Sequence, residues 1–176
     1  YRRYEDASWS EYRQPIPHIP TKGRYNQRIG DLQPDTAYLV RIRVMDTQKR
    51  VGDASPHAEG RTGCQSPLSP PREVQVTLPD VEQVRITWSS PPPETWRCSK
   101  ISFQLRYSND SSGQPQIIDV ASSRNDISLL SKPFTEWSVQ MRTKNVAGHS
   151  DWTGSVTITT GTARRHAFSA KYMSCG

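Results

Sequence analysis

The stretch from Leu32 to Val44, LQPDTAYLVRIRV, permits few folds, because it writes a corner and a strand in direct succession. Pro34 fixes one backbone angle, and with Asp31 and Asp35 beside it the segment belongs in a turn rather than inside a sheet. Leu32, Pro34, Thr36 and Tyr38 fall at two-residue intervals. Beyond them Tyr38, Val40, Ile42 and Val44 alternate with Leu39, Arg41 and Arg43, which predicts a half-buried strand with its basic face in water. The pattern returns about a hundred residues later, where Pro133, Thr135, Trp137, Val139 and Met141 alternate with Phe134, Glu136, Ser138, Gln140 and Arg142. A corner-plus-strand repeated at this distance predicts two small β domains.

With these residues the chain resembles tandem fibronectin type III domains. In that family L-x-P-x-T-x-Y marks the corner before strand F, and the tyrosine hydroxyl bonds back to backbone. Leu32, Pro34, Thr36 and Tyr38 keep all four positions. The second copy keeps Pro133 and Thr135, has Trp137 at the tyrosine position and Ser131 at the leucine position, with Leu130 one residue earlier as a candidate to fill the gap. An indole nitrogen can only donate, so the corner bond there is an open question.

The resemblance implies an all-β chain: two immunoglobulin-like (fibronectin type III) β-sandwiches in tandem, the first lacking strands A and B. Residues 1–62 are then a partial domain, strands C to G. Residues 63–70 are a linker, 71–162 a complete domain and 163–176 a basic tail or linker. Within the first domain, residues 1–5 and 8–13 are expected as strands C and C′, Tyr25 to Ile29 as E, Ala37 to Met45 as F, Gln48 to Pro56 as a loop and Ala58 to Thr62 as G. In the second, Glu73 to Leu78 is A, and Val84, Ile86 and Trp88 mark B. Phe103, Leu105 and Tyr107 mark C, with Ile117 to Val120 as C′, Ile127 to Leu130 as E and Ser155 to Thr160 as G. Trp88 takes the family's core-tryptophan place. Asn145 to Ser150 resembles its F–G loop.

The length of 176 residues suits two such units, and 14 prolines with 10 glycines suit many turns. No run of about twenty apolar residues occurs, so no membrane span lies within the chain. The net charge of +6 divides unevenly: +3 in residues 1–62, 0 in 63–162 and +3 in 163–176. A basic surface of this kind either binds heparan sulfate or an acidic partner or is simply solvated. No nucleic-acid reader or aromatic stacking platform is present.

In the resembled fold strand A begins at the same pole as the B–C loop. Cys64 and Cys98 therefore come within reach of each other, either as a disulfide or as two separate thiols, and Cys175 is left over. Asn109-Asp110-Ser111 is the one N-glycosylation acceptor, with Asn109 in the turn after strand C. Ser150 with Trp152 is half of the W-S-x-W-S element of cytokine receptors, and Arg142 and Lys144 are candidate cations over its ring. His18, His57, His149 and His166 stand with no acid or nucleophile at meaningful spacing, and no metal-ligand or phosphate-loop spacing appears. No catalytic residue, cofactor or metal is expected.

The expected role is an extracellular protein-binding and spacer segment of a cell-surface adhesion molecule or receptor. Its parent is membrane-anchored outside this stretch, and its partners are other cell-surface or extracellular proteins, homophilic ones included. Strings of such domains, as in Sidekick-like adhesion proteins, are one home. The alternatives are the ectodomain of a receptor tyrosine kinase or phosphatase, and a secreted matrix protein that binds glycosaminoglycan.

Overall fold

The computed structural model describes residues 1–12, 14–80, 82–109 and 114–161. Among these residues the chain is all-β apart from one 3-10 turn, Pro93–Thr95. Its first 62 residues hold β1 (Arg2–Arg3), β2 (Ala37–Val40), β3 (Arg43–Met45), β4 (Val51–Ala54) and β5 (Ala58–Arg61). Then follow β6 (Arg72–Asp80), β7 (Gln83–Ser89), β8 (Ser102–Ser108), β9 (Gln116–Ala121) and β10 (Asp126–Leu130). The last strands are β11 (Glu136–Asn145), β12 (Gly148–His149) and β13 (Val156–Thr159).

From β6 onward two antiparallel sheets face each other. One has the order β10-β7-β6; the other runs β12-β11-β8-β9, with β13 also pairing β11. Alternation decides what lies between them. Val84, Ile86 and Trp88 of β7, Phe103 and Leu105 of β8, and Trp137, Val139 and Met141 of β11 are buried in one cluster. Trp88 meets the Phe103 ring edge-on, with centroids 6.0 Å apart, and Tyr107 stacks on Trp137 at 5.4 Å. These strands lie where the periodicity puts them, because period two and a buried face specify register together.

The first 62 residues differ more from expectation. β2 pairs β1 and β5, but the strand expected from Ala37 to Met45 breaks after Val40, and β3 pairs β4 instead. At the break Ile42 exchanges both backbone groups with Ser55, its N–H going to Ser55 Oγ. The expected loop from Gln48 to Pro56 contains β4, because Asp46 closes a tight turn by accepting from the backbone N–H groups of Gln48 and Arg50. Among the described residues of this region only Tyr38 and Leu39 are buried apolar side chains. Ile42 and Val44, expected on the buried face, are 71% and 77% exposed. Leu39, expected on the water-facing side, is buried instead, so the expected alternation of burial does not hold along this segment, where the strand breaks after Val40.

Two expected strands are absent there. Ser8 to Tyr12 is irregular: Ser10 N–H bonds back to Tyr1 O, and Trp9 lies between the guanidinium groups of Arg2 and Arg41, 5.3 and 3.9 Å from the ring centre. Tyr25 to Ile29 makes no ladder either, and nearby the Tyr25 hydroxyl satisfies both the N–H and the C=O of Ile19. At Ile19 a side-chain hydroxyl took the place of a partner strand, whereas Ser10 meets only the backbone of Tyr1.

Candidate functional site

The two corners are built alike. In the first, Thr36 N–H donates to Thr62 Oγ1 at 2.9 Å and Thr62 N–H to Thr36 O at 3.0 Å. In the second, Thr135 N–H donates to Thr160 Oγ1 at 2.9 Å and Thr160 N–H to Thr135 O at 2.9 Å. The residue after each proline takes a left-handed backbone, Asp35 with φ 49° and Phe134 with φ 55°. Each corner is thus clipped to the end of its last strand by a threonine.

The aromatic bond differs between them. The Tyr38 hydroxyl accepts from Gln33 N–H at 2.9 Å. The Trp137 indole must donate, and it does so to Ser131 Oγ at 2.8 Å. Ser131 therefore supplies an acceptor where leucine would supply none. Leu130 does not fill the gap; it is 85% exposed. Ser131→Ala leaves the buried indole N–H unpaired, so we expect a loss of about 1–3 kcal/mol in urea unfolding of the second unit. A change within error would mean that the indole finds another acceptor.

Residues 63–70, expected as a linker from composition, are a strap. Cys64 is disulfide-bonded to Cys98, with Cα atoms 4.9 Å apart. Gln65 N–H donates to Arg97 O at 3.2 Å, and Leu68 N–H to Thr95 O at 2.9 Å. From the other side Asn145 Nδ2 donates to Gln65 O at 2.7 Å and Trp96 O at 3.0 Å, while its Oδ1 accepts from Ala147 and Gly148 N–H. Gly148 has φ +151°, a backbone that favours glycine, and a Cβ there would lie 2.4 Å from Ser66 Oγ, so the serine hydroxyl would have to turn away. Asn145 and Gly148 were legible as a loop motif; their role in holding the strap was not.

The Asp35 carboxylate lies beside the bridge, within 4.8 Å of both sulfurs. Sulfurs bonded to each other offer no thiolate, so the trio is no metal centre while the bridge stands. Arg61 Nε donates to Asp35 at 2.7 Å and the Ser99 backbone N–H donates to its other oxygen. These bonds, that from Arg61 first, hold the carboxyl at about 2 against an ordinary 3.8. Being depressed in the fold, the group adds stability that is fully present above the ordinary value and lost as pH falls through about 2. Carbon-detected NMR titration should find Asp35 still ionised at pH 3, and a midpoint at the ordinary value would contradict these bonds.

The outer face of the second sheet carries one further cluster. β11 pairs with the segment after β12 through Thr143 with Ser150 and Met141 with Thr153. Between these pairs one residue of β11, Arg142, opposes two, Asp151 and Trp152, which is a bulge, and it places Trp152 over the outer face. There Arg106 and Arg142 lie 4.6 and 4.4 Å from its ring centre. Each is steadied by the glutamine opposite it in register: Arg106 donates to Gln140, and Arg142 donates to Gln104 at 2.8 Å. Arg142 was expected here; Lys144 turns instead to Asp119 at 3.3 Å, and Arg106 replaces it. Arg106 could have been found only from the register of β8 against β11.

Asn109 follows β8 and is half-buried, whereas Asp110 and Ser111 of its motif, Cys175, His166 and the basic tail lie outside the described residues. His18, His57 and His149 are exposed. Among the described residues no helix is long and apolar enough to cross a membrane.

No protein-family model matches the chain. It is similar to the solved FN1–FN3 domains of chicken CNTN1, with a TM-score of 0.53 and 22% identity over 82% of this chain and 49% of that one. It therefore spans about half the length of that structure. The third fibronectin III domain of the human KIAA0343 protein is also similar, with a TM-score of 0.51 and 18% identity over 61% of this chain and 93% of that one. Likeness at this identity bears on fold alone: the chain has the fibronectin type III β-sandwich fold.

Proposed function

We propose that the chain is an extracellular protein-binding and spacer segment of a cell-surface adhesion molecule or receptor, with no chemistry of its own. The observation that carries this reading is the Cys64–Cys98 bridge at the start of a fibronectin type III fold: a disulfide persists in an oxidising compartment, and the fold presents sheet faces and loops rather than a reactive cleft. Residues 1–62 are read as a unit without strands A and B, and 71–162 as a complete one. The exposed Ile42 and Val44 mark the face those two strands would cover. Asn109 is read as glycosylated, and the partners as cell-surface or extracellular proteins, homophilic binding included.

Beads coated with the full ectodomain are expected to aggregate or to capture cells bearing a partner. Secreted parent protein that stays dispersed and binds no cell surface would remove the adhesion reading. The formal charge of +6 keeps one second reading, a matrix protein holding glycosaminoglycan. Elution from heparin below physiological salt would count against it.

A further inference from the structure

Following the chain from the first unit into the second leaves no residue unheld. Thr62 N–H is bonded to Thr36 O, and Gly63 O accepts from Asp35 N–H at 3.0 Å. Cys64 is bridged to Cys98, and Gln65 N–H donates to Arg97 O. Each residue from Thr62 to Gln65 thus carries at least one tie to the corner of one unit or the B–C loop of the next.

One side chain closes the same path through space. The Asp35 carboxylate accepts from Arg61 on its own unit and from Ser99 N–H on the other, one residue past the bridged Cys98. Its side chain is mostly covered although Arg61 is exposed. The left-handed backbone at Asp35 is uncommon for a residue with a side chain, and aspartate tolerates it better than most. Phe134 has the same place and backbone in the second corner, yet it is 73% exposed and carries no carboxylate. The corner therefore needs a turn at this position, and the second corner makes it without a carboxylate.

We infer that residues 1–62 and the sandwich that follows are held as one rigid joint, with the Asp35 carboxylate as its latch and the Cys64–Cys98 bridge fastening the far side. This goes beyond the spacer reading: a spacer is served by a loose hinge or a stiff one, and the joint makes it stiff. A stiff joint fixes which faces the two units present together.

The test is a spin-label distance measurement on the whole chain, with Cys175→Ser and labels on Gln48→Cys and Ser123→Cys, both exposed and away from the joint. One narrow distance is expected for this parent. Asp35→Gly keeps the turn and removes the latch, and should lose the narrow distance and the exchange protection of the Ser99 amide. Cys64→Ser with Cys98→Ser should lose the narrow distance as well. Phe134→Gly is the control and should keep it. If Asp35→Gly does not fold, Asp35→Asn keeps the left-handed turn and one acceptor and should broaden the distance less. A broad distance in the parent overturns the joint. A narrow one in every folded Asp35 variant overturns the latch, as does broadening by Phe134→Gly. A narrow one without the bridge overturns the fastening. Each outcome reads geometry, so it stands apart from whether the segment binds any partner.

Discussion

Trp137→Ala is expected to cost about 3–5 kcal/mol in the unfolding of the second unit, since Trp137 is the largest fully buried side chain among the described residues. Trp137 has no exposed surface, and its ring stacks on Tyr107 between the two sheets. Removing it opens a cavity in the middle of β11, where Val139 and Met141 continue the same buried face and cannot all collapse inward. Ser131 also loses its donor, though its hydroxyl can turn to water. A domain of this size has about 5–15 kcal/mol in total, so the variant stands near the folding threshold. Urea unfolding followed by far-ultraviolet circular dichroism measures it, and Trp137→Phe should recover part of the loss by keeping a ring in place. A cost below about 1 kcal/mol for the alanine variant would mean that the core repacks around the site, contrary to the close packing described.

Replacing Cys64 and Cys98 together by serine should lower stability by about 3–4 kcal/mol. The bridge closes a loop spanning 34 positions in sequence, and that loop contains β6 and β7, one side of the core. Without it the unfolded chain regains the freedom of that whole loop. The native strap still has its hydrogen bonds from Gln65, Leu68 and Asn145, so the sandwich should remain folded while β6 exchanges amide protons faster. Chemical denaturation beside hydrogen exchange separates the two effects. Equal stability of bridged and unbridged forms would show that the reduced unfolded chain is already constrained.

How far the sequence could be read depended on distance along the chain. The corner at Pro34, Thr36 and Tyr38 and its altered copy at Pro133, Thr135 and Trp137 were plain, because a turn is decided by a few neighbouring residues. The core faces of β7, β8 and β11 were plain because their alternating apolar residues meet a second sheet, which those at Ile42 and Val44 do not among the described residues. Ser131 was legible only as a departure from a pattern; its use as the acceptor for Trp137 follows once the indole's lack of an acceptor is taken seriously. The strap was read as a linker because proline and serine mark loops whether or not a disulfide and Asn145 tie them down. Among the described residues the strands expected in 8–13 and 25–29 did not form because a strand needs a partner ladder, and Ser10 meets only Tyr1 while the Tyr25 hydroxyl holds Ile19.

By itself, then, the sequence determined what each short segment prefers: where the chain turns, which strand face is apolar, and that the corner-plus-strand pattern occurs twice. Tertiary structure alone decided what each preference meets. It left Ile42 and Val44 exposed while burying Val84 and Ile86, chose Arg106 over Lys144 for Trp152, and turned Asp35 toward Ser99. The physical reason is that periodicity and turn chemistry act over a few bonds, whereas burial, ion pairing and register depend on groups distant in sequence that arrive only when the sheets assemble.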